Sequence, residues 1–472
     1  MIDRREILDF SREFGLAPHI IEKDYVIGWI LAGISNHKDL APHWVFKGGT
    51  CLKKCFFETY RFSEDLDFTI KNPDHLKQEI LTNAFKEISN WVYENAGIEI
   101  PPNLIQFEFY TNPRAKISVQ GKISYRGPLQ RGGDLPRIKL DLTSDELLAL
   151  DPVSREVHHP YSDEPEESIS AQCYSFEELF AEKIRALGER LRPRDLYDVI
   201  HLHRHAGRDA NRALIKDTLE KKCQFKGISI PTMESLGSKA ERAELEGEWE
   251  NMLAHQLPVL PPFEQFWSEI SAVFAWLYQA VEKIIPPSMP LMGMPVDDTW
   301  QPPAMAHAWH TTTPFEVIRF AAANHLCVGL TYNGTHRLIE PYSLRRTRDG
   351  NLLLYAVKHD TGEDRSYRVD RIQGAEPTKI SFNPRYVVEL TPSGPFAAQP
   401  ISRKSTGAWK TRAIGMDYSK GASPHGPKYI FRCMTCGKQF TRKSYDASLN
   451  QHKNKQGYPC FGRIGTYIRT EY

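Results

Sequence analysis

The sequence predicts an α+β fold in several parts, and three observations make the case. Residues 47–70 join two adjacent glycines, a lysine-rich apolar run and a strand-like Asp65-Leu66-Asp67. Residues 175–205 place apolar side chains at helical spacing, with one break at Pro193. Beyond a Pro/Met-rich stretch at 286–314, short apolar runs are separated by Asn333-Gly334, Asp349-Gly350 and Thr361-Gly362, the turn pairs that hairpins use.

Composition bounds the class. The 472 residues are 41% apolar and 25% charged, as in soluble globular proteins, and the length suits two to four domains. No run of about 18 apolar residues predicts a membrane span, and the charged start MIDRREILDF lacks the apolar core of a signal peptide. The eight cysteines are too sparse for a disulfide framework and fit a reducing cytoplasm. The net charge of +1 hides an asymmetry: residues 401–472 carry 14 Lys/Arg against 3 Asp/Glu, a basic footprint suited to nucleic acid.

Taken in order, residues 4–14 and 18–36 read as two helices, with Glu22, Lys23 and Asp24 on a solvated face. Gly48 and Gly49 let backbone N–H groups approach phosphate oxygens ahead of a helix. In a strand, Asp65 and Asp67 share one face about 7 Å apart, and a divalent cation such as Mg²⁺ relieves their repulsion. Residues 74–96 read as an amphipathic helix and 104–127 as paired strands. In the strand-like 136–143, Lys139 and Asp141 take one face and Ile138, Leu140 and Leu142 the other.

Residues 151–172 read as an acidic loop. Ser175 with Glu178 makes a capping-box pattern, and Lys183 falls on the buried stripe of the helix that follows, where a lysine needs an anionic partner. The helix restarts at Arg194-Asp195-Leu196-Tyr197-Asp198. Of His201, His203 and His205, only the first and last share a face, so the group reads as a dipole-favoured C-terminal cluster rather than a metal site. Residues 211–285 continue as helices.

These motifs together resemble the nucleotidyltransferase superfamily with a polymerase-β-like fold, in its AbiEii/AbiGii-type toxin branch. FKGGTCLKKCF followed by YRFSEDLDF is similar to the first motif of that branch, Glu178…Ala181…Lys183…Ala186 to the third, and Arg190…Arg194-Asp195…Asp198 to the fourth. Gly49-Thr50 stands where many members have Gly-Ser. The resemblance implies transfer of a nucleoside monophosphate from an NTP to an acceptor, in a toxin–antitoxin or phage-defence system with a cognate antitoxin. It implies Mg²⁺ on Asp65 and Asp67, with Asp141 as a third carboxylate. It places Lys183 on the triphosphate and Asp198 in the site as positioner or base, with Gly48, Gly49, Thr50 and Arg194 on the nucleotide side. Related toxins modify the 3′ end of tRNA, which makes tRNA the expected acceptor. Nucleotidylation of a protein or small molecule, and a non-enzymatic nucleic-acid-binding regulator, are the alternatives.

In the second part the hairpin turns predict a small β-barrel or a strongly bent sheet, and the segment resembles the WYL domain. Its matching residues are Tyr332, Arg337-Leu338-Ile339-Glu340-Pro341 and the run Arg365 to Ile372, although Leu352-Leu353-Leu354 replaces the naming tripeptide. Arg337, Arg345, Arg368 and Arg371 either grip phosphate or form salt bridges on the sheet surface. At the C-terminus, Cys433-x2-Cys436, His452 and Cys460 have the spacing of a structural Cys₃His zinc site, with Phe431, Phe440 and Leu449 as its small core. The expected boundaries are 1–285 (transferase), 286–314 (linker), 315–395 (WYL-like), 396–427 (linker) and 428–472 (zinc module).

Overall fold

The computed structural model describes residues 1–57, 59–111, 114–130, 132–165, 169–206, 210–237, 239–279, 286–289, 315–346 and 352–390, then 428–433, 438–442, 449, 452–453, 459–460 and 465–471. The chain forms two compact units, Met1–Ser402 and Arg403–Tyr472.

The first unit opens with helices α1 (Arg4–Phe14) and α2 (Pro18–Asn36), then strand β1 (Trp44–Lys47), a short helix α3 (Gly48–Cys51) and a π-helical turn (Leu52–Phe56). Strand β2 (Asp65–Ile70), helix α4 (Gln78–Ala96), and strands β3 (Ile105–Thr111), β4 (Ile117–Ser124) and β5 (Arg137–Thr143) follow. The stretch read as a loop holds two four-residue strands, β6 (Val153–Glu156) and β7 (Ser170–Cys173), because its acidic surface side chains hide a short edge pairing. Together they form a seven-stranded mixed sheet in the order β3-β4-β5-β2-β1-β7-β6, with β2 parallel to β5 and β1 parallel to β7.

Helices α5 (Phe176–Arg190), α6 (Pro193–His205), α7 (Arg212–Lys226), α8 (Met233–Leu236), α9 (Lys239–Gly247), α10 (Trp249–Leu253) and α11 (Phe263–Tyr278) complete the helical half. Ser175 caps α5 as the sequence indicates, accepting from the Glu178 amide at 3.2 Å. The Glu178 side chain does not return the bond. It accepts from the Ala149 and Leu150 amides and pairs with Lys222.

Helix α2 corrects one expectation. It is buried nearly all round, so Glu22 and Asp24 enter the core while Lys23 stays partly exposed, and each of the three finds a partner. Glu22 accepts from the Leu129 amide at 2.7 Å, Asp24 pairs with Lys54 at 2.7 Å, and Lys23 pairs with Glu64. A second correction concerns the histidines of α6. His201 is fully buried against Tyr60 and Tyr197, and burial pulls its pKa well below the ordinary value, so it packs as a neutral ring.

The WYL-like part is helix α12 (Phe315–Ala323) and strands β8 (Leu326–Tyr332), β9 (Thr335–Arg346), β10 (Leu352–Lys358), β11 (Asp364–Arg368) and β12 (Ile372–Ser381). The Asn333-Gly334 turn has φ of 51° and 70°, as a tight hairpin needs. Asp349-Gly350 lies outside the described residues. The sheet order β11-β10-β9-β8-β12 is antiparallel and leaves β11 and β12 as edges, so of the two expected forms the closed barrel is not the one found and the sheet is open. Helix α12 closes its apolar face instead: Ile318, Ala321 and Ala322 join Val328, Leu330, Ile339 and Leu354 in a core that also contains the transferase residues. The start of the expected linker is also attached, since Val387 donates to the Pro287 carbonyl at 3.0 Å and Met289 is buried. The rest of that linker, and all of 396–427, lie outside the described residues.

In the second unit, β13 (Lys428–Cys433), β14 (Gln439–Arg442) and β15 (Gly465–Glu471) form an antiparallel sheet ordered β14-β13-β15. A separate two-strand ladder pairs His452 directly with Cys460. Buried Cys433 packs with Leu449 and Phe440, in keeping with the expected small core. Cys436 lies outside the described residues. No helix among the described residues is long and apolar enough to cross a membrane.

Candidate active site

The register of the large sheet sets a row of polar side chains across four strands. Lys47 on β1 pairs with Asp67 on β2, Asp67 with Asp141 on β5, and Asp141 with Gln120 on β4. Cross-strand partners share a face, so the row Lys47–Asp67–Asp141–Gln120 projects to one side of the sheet. Asp65, two residues before Asp67, lies on the same face opposite Lys139. The alternate residues Leu66, Phe68, Leu140 and Leu142 are buried on the other side, and that burial fixes the register.

The glycines explain how the turn fits. Gly48 has φ of +82°, and a Cβ there would meet Asp67 Oδ2 at 2.2 Å. A Cβ on Gly49 would meet the Arg61 guanidinium at 2.5 Å. Both side chains are therefore excluded by the groups the turn presents. Thr50 is fully buried and gives its hydroxyl to the Asp65 carbonyl, so it braces β2 and does not reach the open face.

Burial pushes the Asp67 carboxyl up to about 6; Asp141 and Asp65 add to this, against the pull of Lys47 and Lys183. Burial also raises Asp65, opposed by Lys139 and Arg194. Gln120 donates to Asp141 at 3.1 Å. A cavity of about 320 Å³ opens over this face, lined among others by Lys47, Asp67, Gln120, Asp141 and Lys226. A larger one of about 490 Å³, beside Glu22, Tyr125 and Arg126, holds none of the candidate residues.

Asp198 sits at the hub of a buried ion network. Its Oδ2 lies 2.7 Å from Lys183 Nζ, and Arg61 binds both oxygens at 2.7 and 2.8 Å. Tyr60 donates to it as well. Burial alone would raise this carboxyl, but Arg61 and Lys183 outweigh it and hold it well below the usual range. A carboxylate so clamped is a poor proton acceptor. Of the two expected roles, the geometry favours positioner over base. Asp195 also faces Lys183, at 3.8 Å, and is held by a bidentate Arg190 at 2.7 and 2.9 Å. Arg194 lies near Asp65, Glu64 and Asp198. Tyr60 and Arg61 fall within the first motif, yet the sequence assigns neither of them a role. The signal was Asp198 itself, since a buried carboxylate in a cationic motif calls for a bidentate partner.

The WYL-like arginines are mostly engaged within the sheet. Arg345 pairs with Glu389, Arg368 holds Asp370 at 3.1 and 2.8 Å, and Arg337 donates to the Tyr332 carbonyl at 2.8 Å. Arg371 follows β11 in a 3₁₀ turn, half-buried. Salt bridging is the arrangement found for Arg345 and Arg368.

Comparison with known families decides the class. The model of the nucleotidyl transferase AbiEii toxin of type IV toxin–antitoxin systems matches residues 29–275, over half of the chain. The chain belongs to the AbiEii toxin family. It is a nucleotidyltransferase, and every residue of the carboxylate row and the Asp198 network falls inside the match. A WYL-domain model matches residues 314–377. Among solved structures, the MenT4 nucleotidyltransferase toxin of Mycobacterium tuberculosis H37Rv is 17% identical with a TM-score of 0.42, covering 60% of this chain and 91% of its own. The proteasome accessory factor B/C of Arthrobacter aurescens is 13% identical with a TM-score of 0.13, covering 62% of this chain and 64% of its own. No curated protein matches the chain.

Proposed function

We propose that this toxin transfers a nucleoside monophosphate from an NTP to the 3′ end of tRNA, with Mg²⁺ held by Asp65, Asp67 and Asp141. The observation that carries the reading is the pairing of Asp67 with Asp141, within electrostatic reach of a lysine anchored by Asp198. The donor set suits a hard cation: three carboxylates on adjacent strands, one of them raised to about 6 by burial and its acidic neighbours. Their oxygens stand further apart than ligands closed on an ion, since among the described residues only a cysteine trio brings three ligand atoms within 4.8 Å of one another. Bound there, Mg²⁺ would polarise the α-phosphate and favour ionisation of the attacking hydroxyl.

The protein's own groups do the positioning. Lys183, fixed by Asp198 and Asp195, keeps its ammonium within electrostatic reach of Asp67, where a triphosphate brings negative charge. Lys47 flanks the other side of the row and Arg194 the Asp65 end. The Gly48-Gly49 turn lets the backbone close against Asp67 and the Arg61 guanidinium, and Asp198 keeps Lys183 and Arg61 aligned rather than moving protons.

The basic segment 401–472 supports a polyanionic acceptor, and a folded sheet within it gives the charges a scaffold. The test is to incubate the full chain with total tRNA, total protein and a small-molecule pool, each with every labelled NTP in turn. Label appearing in tRNA at its 3′ terminus is the expected result. Label confined to protein or small molecules overturns the acceptor.

A further inference from the structure

The eight cysteines look scattered in sequence, yet three of them meet in the first unit. Cys51 ends α3, Cys55 lies one turn further on in the π-helical segment, and Cys173 ends β7. Strand β7 runs parallel to β1 with Cys173 opposite Phe46, which brings its thiol beneath the turn that follows β1. All three are buried and unoxidised, and one sulfur from each lies within 4.8 Å of the others.

We propose that Cys51, Cys55 and Cys173 form a second metal site, taking a soft d¹⁰ cation such as Zn²⁺ or Cu⁺ through three thiolates. With metal–sulfur bonds near 2.3 Å, ligand sulfurs stand about 3.8–4.0 Å apart, so the trio needs to contract by no more than about 1 Å. Thiolate ligands select such soft ions over the hard Mg²⁺. The site has its counter-charge. Arg155 stacks over Phe56 at 4.4 Å, donates to the Cys55 carbonyl at 3.2 Å, and feels all three thiols. Three thiolates with Zn²⁺ carry one net negative charge, which the guanidinium neutralises. On binding, three S–H bonds break, three metal–sulfur bonds form and three protons leave to solvent.

The position gives the site a consequence. Cys51 lies three residues after Gly48, whose backbone abuts Asp67, so a bound ion ties the Gly48 turn to β7. A soft ion here would brace the turn from the core side, separate from the carboxylate face.

The experiment uses the full chain carrying Cys433→Ser, Cys436→Ser and Cys460→Ser, so that the C-terminal thiols do not contribute. Cd²⁺ alone is the probe, followed by its thiolate charge-transfer absorption and by proton release. The expected result is saturation at one equivalent with the intensity of three thiolates. Cys173→Ala in that background should weaken binding at least about tenfold, while Cys327→Ala leaves it unchanged. Should Cys173→Ala fail to fold, Cys55→Ser and protection of the three thiols from alkylation by Cd²⁺ give the same readout. Absence of a charge-transfer band, or a band unaltered when Cys173 or Cys55 is replaced, overturns the proposal and leaves three cysteines packed as small apolar groups.

Discussion

Lys183 Nζ lies 2.7 Å from Asp198 Oδ2, and Asp198 is wholly inaccessible to solvent. The pair joins α5 to α6, and Arg61 locks it to the segment just before β2. Replacing Asp198 by Asn removes the anion but leaves Arg61 and Lys183 buried, so the loss of stability should be about 3–5 kcal/mol. Because the Asp198 carboxyl is held low, its contribution is full above the ordinary value of 3.8 and is lost on acidification below it. A urea midpoint for Asp198→Asn within error of the parent would contradict the clamp.

Lys183→Gln separates binding from folding. It frees one arm of Asp198 while Arg61 still holds both oxygens, so the fold should survive with a loss near 1–2 kcal/mol. Nucleotide affinity should fall at least about tenfold, since a charge-assisted contact to phosphate is removed. Unchanged nucleotide binding by calorimetry would remove Lys183 from the triphosphate.

Asp65→Ala and Asp67→Ala should each abolish transfer and toxicity in a folded protein. Asp67→Asn should even stabilise the metal-free chain at neutral pH, by up to about 2 kcal/mol, because it relieves a carboxylate raised by burial and by Asp141. Growth arrest that persists in folded Asp67→Ala would sink the enzymatic role of this face.

The same shift predicts a pH dependence. A carboxyl whose folded pKa stands at about 6, against 3.8 ordinarily, gives metal-free stability that is full below 3.8 and lost as pH rises through 6. A cation that needs the carboxylate competes with that proton. The Mg²⁺-induced rise in melting temperature should therefore be small at about pH 5 and approach its maximum by about pH 7.5. Equal shifts at both would detach Mg²⁺ from Asp67.

Much of this was legible in the chain. The alternation of Asp65 and Asp67 with Leu66 and Phe68 gave the strand and its open face, and Pro193 marked the break between α5 and α6. What stayed hidden depended on partners far away in sequence. Helix α2 reads as half-solvated because Glu22 and Asp24 are charged, yet Leu129 and Lys54 receive them inside. Cys173 lies more than a hundred residues from Cys51 and Cys55, and only the parallel β1–β7 pairing unites them. The hairpin turns of the WYL-like sheet allow either a barrel or a bent open sheet, because they specify neighbours, not closure. Helix α12 took the apolar face that a closed barrel would have buried.

The link between that sheet and the site gives one further expectation. Tyr197, next to Asp198 in α6, donates to Asn324 at 2.9 Å, just after α12. Asn324→Ala should cost about 1–3 kcal/mol by leaving the buried hydroxyl unpaired, and should alter kcat through Asp198. Wild-type kcat together with a wild-type midpoint would break the connection.

Residues 401–472 carry a formal +11, and three thiolates in the candidate zinc site would leave the segment strongly positive before any metal is counted. Attraction of that kind works through release of counterions, so acceptor binding should weaken steeply as salt rises. The NTP, proposed to meet Lys183, Lys47 and Arg194 on the first unit, should show no such dependence on the tail. Deleting 401–472 should therefore raise KM for the acceptor, flatten its salt dependence and leave KM for the NTP near its original value. If the truncated chain modifies its acceptor with unchanged kinetics at low and high salt, the tail does not deliver nucleic acid to the carboxylate row.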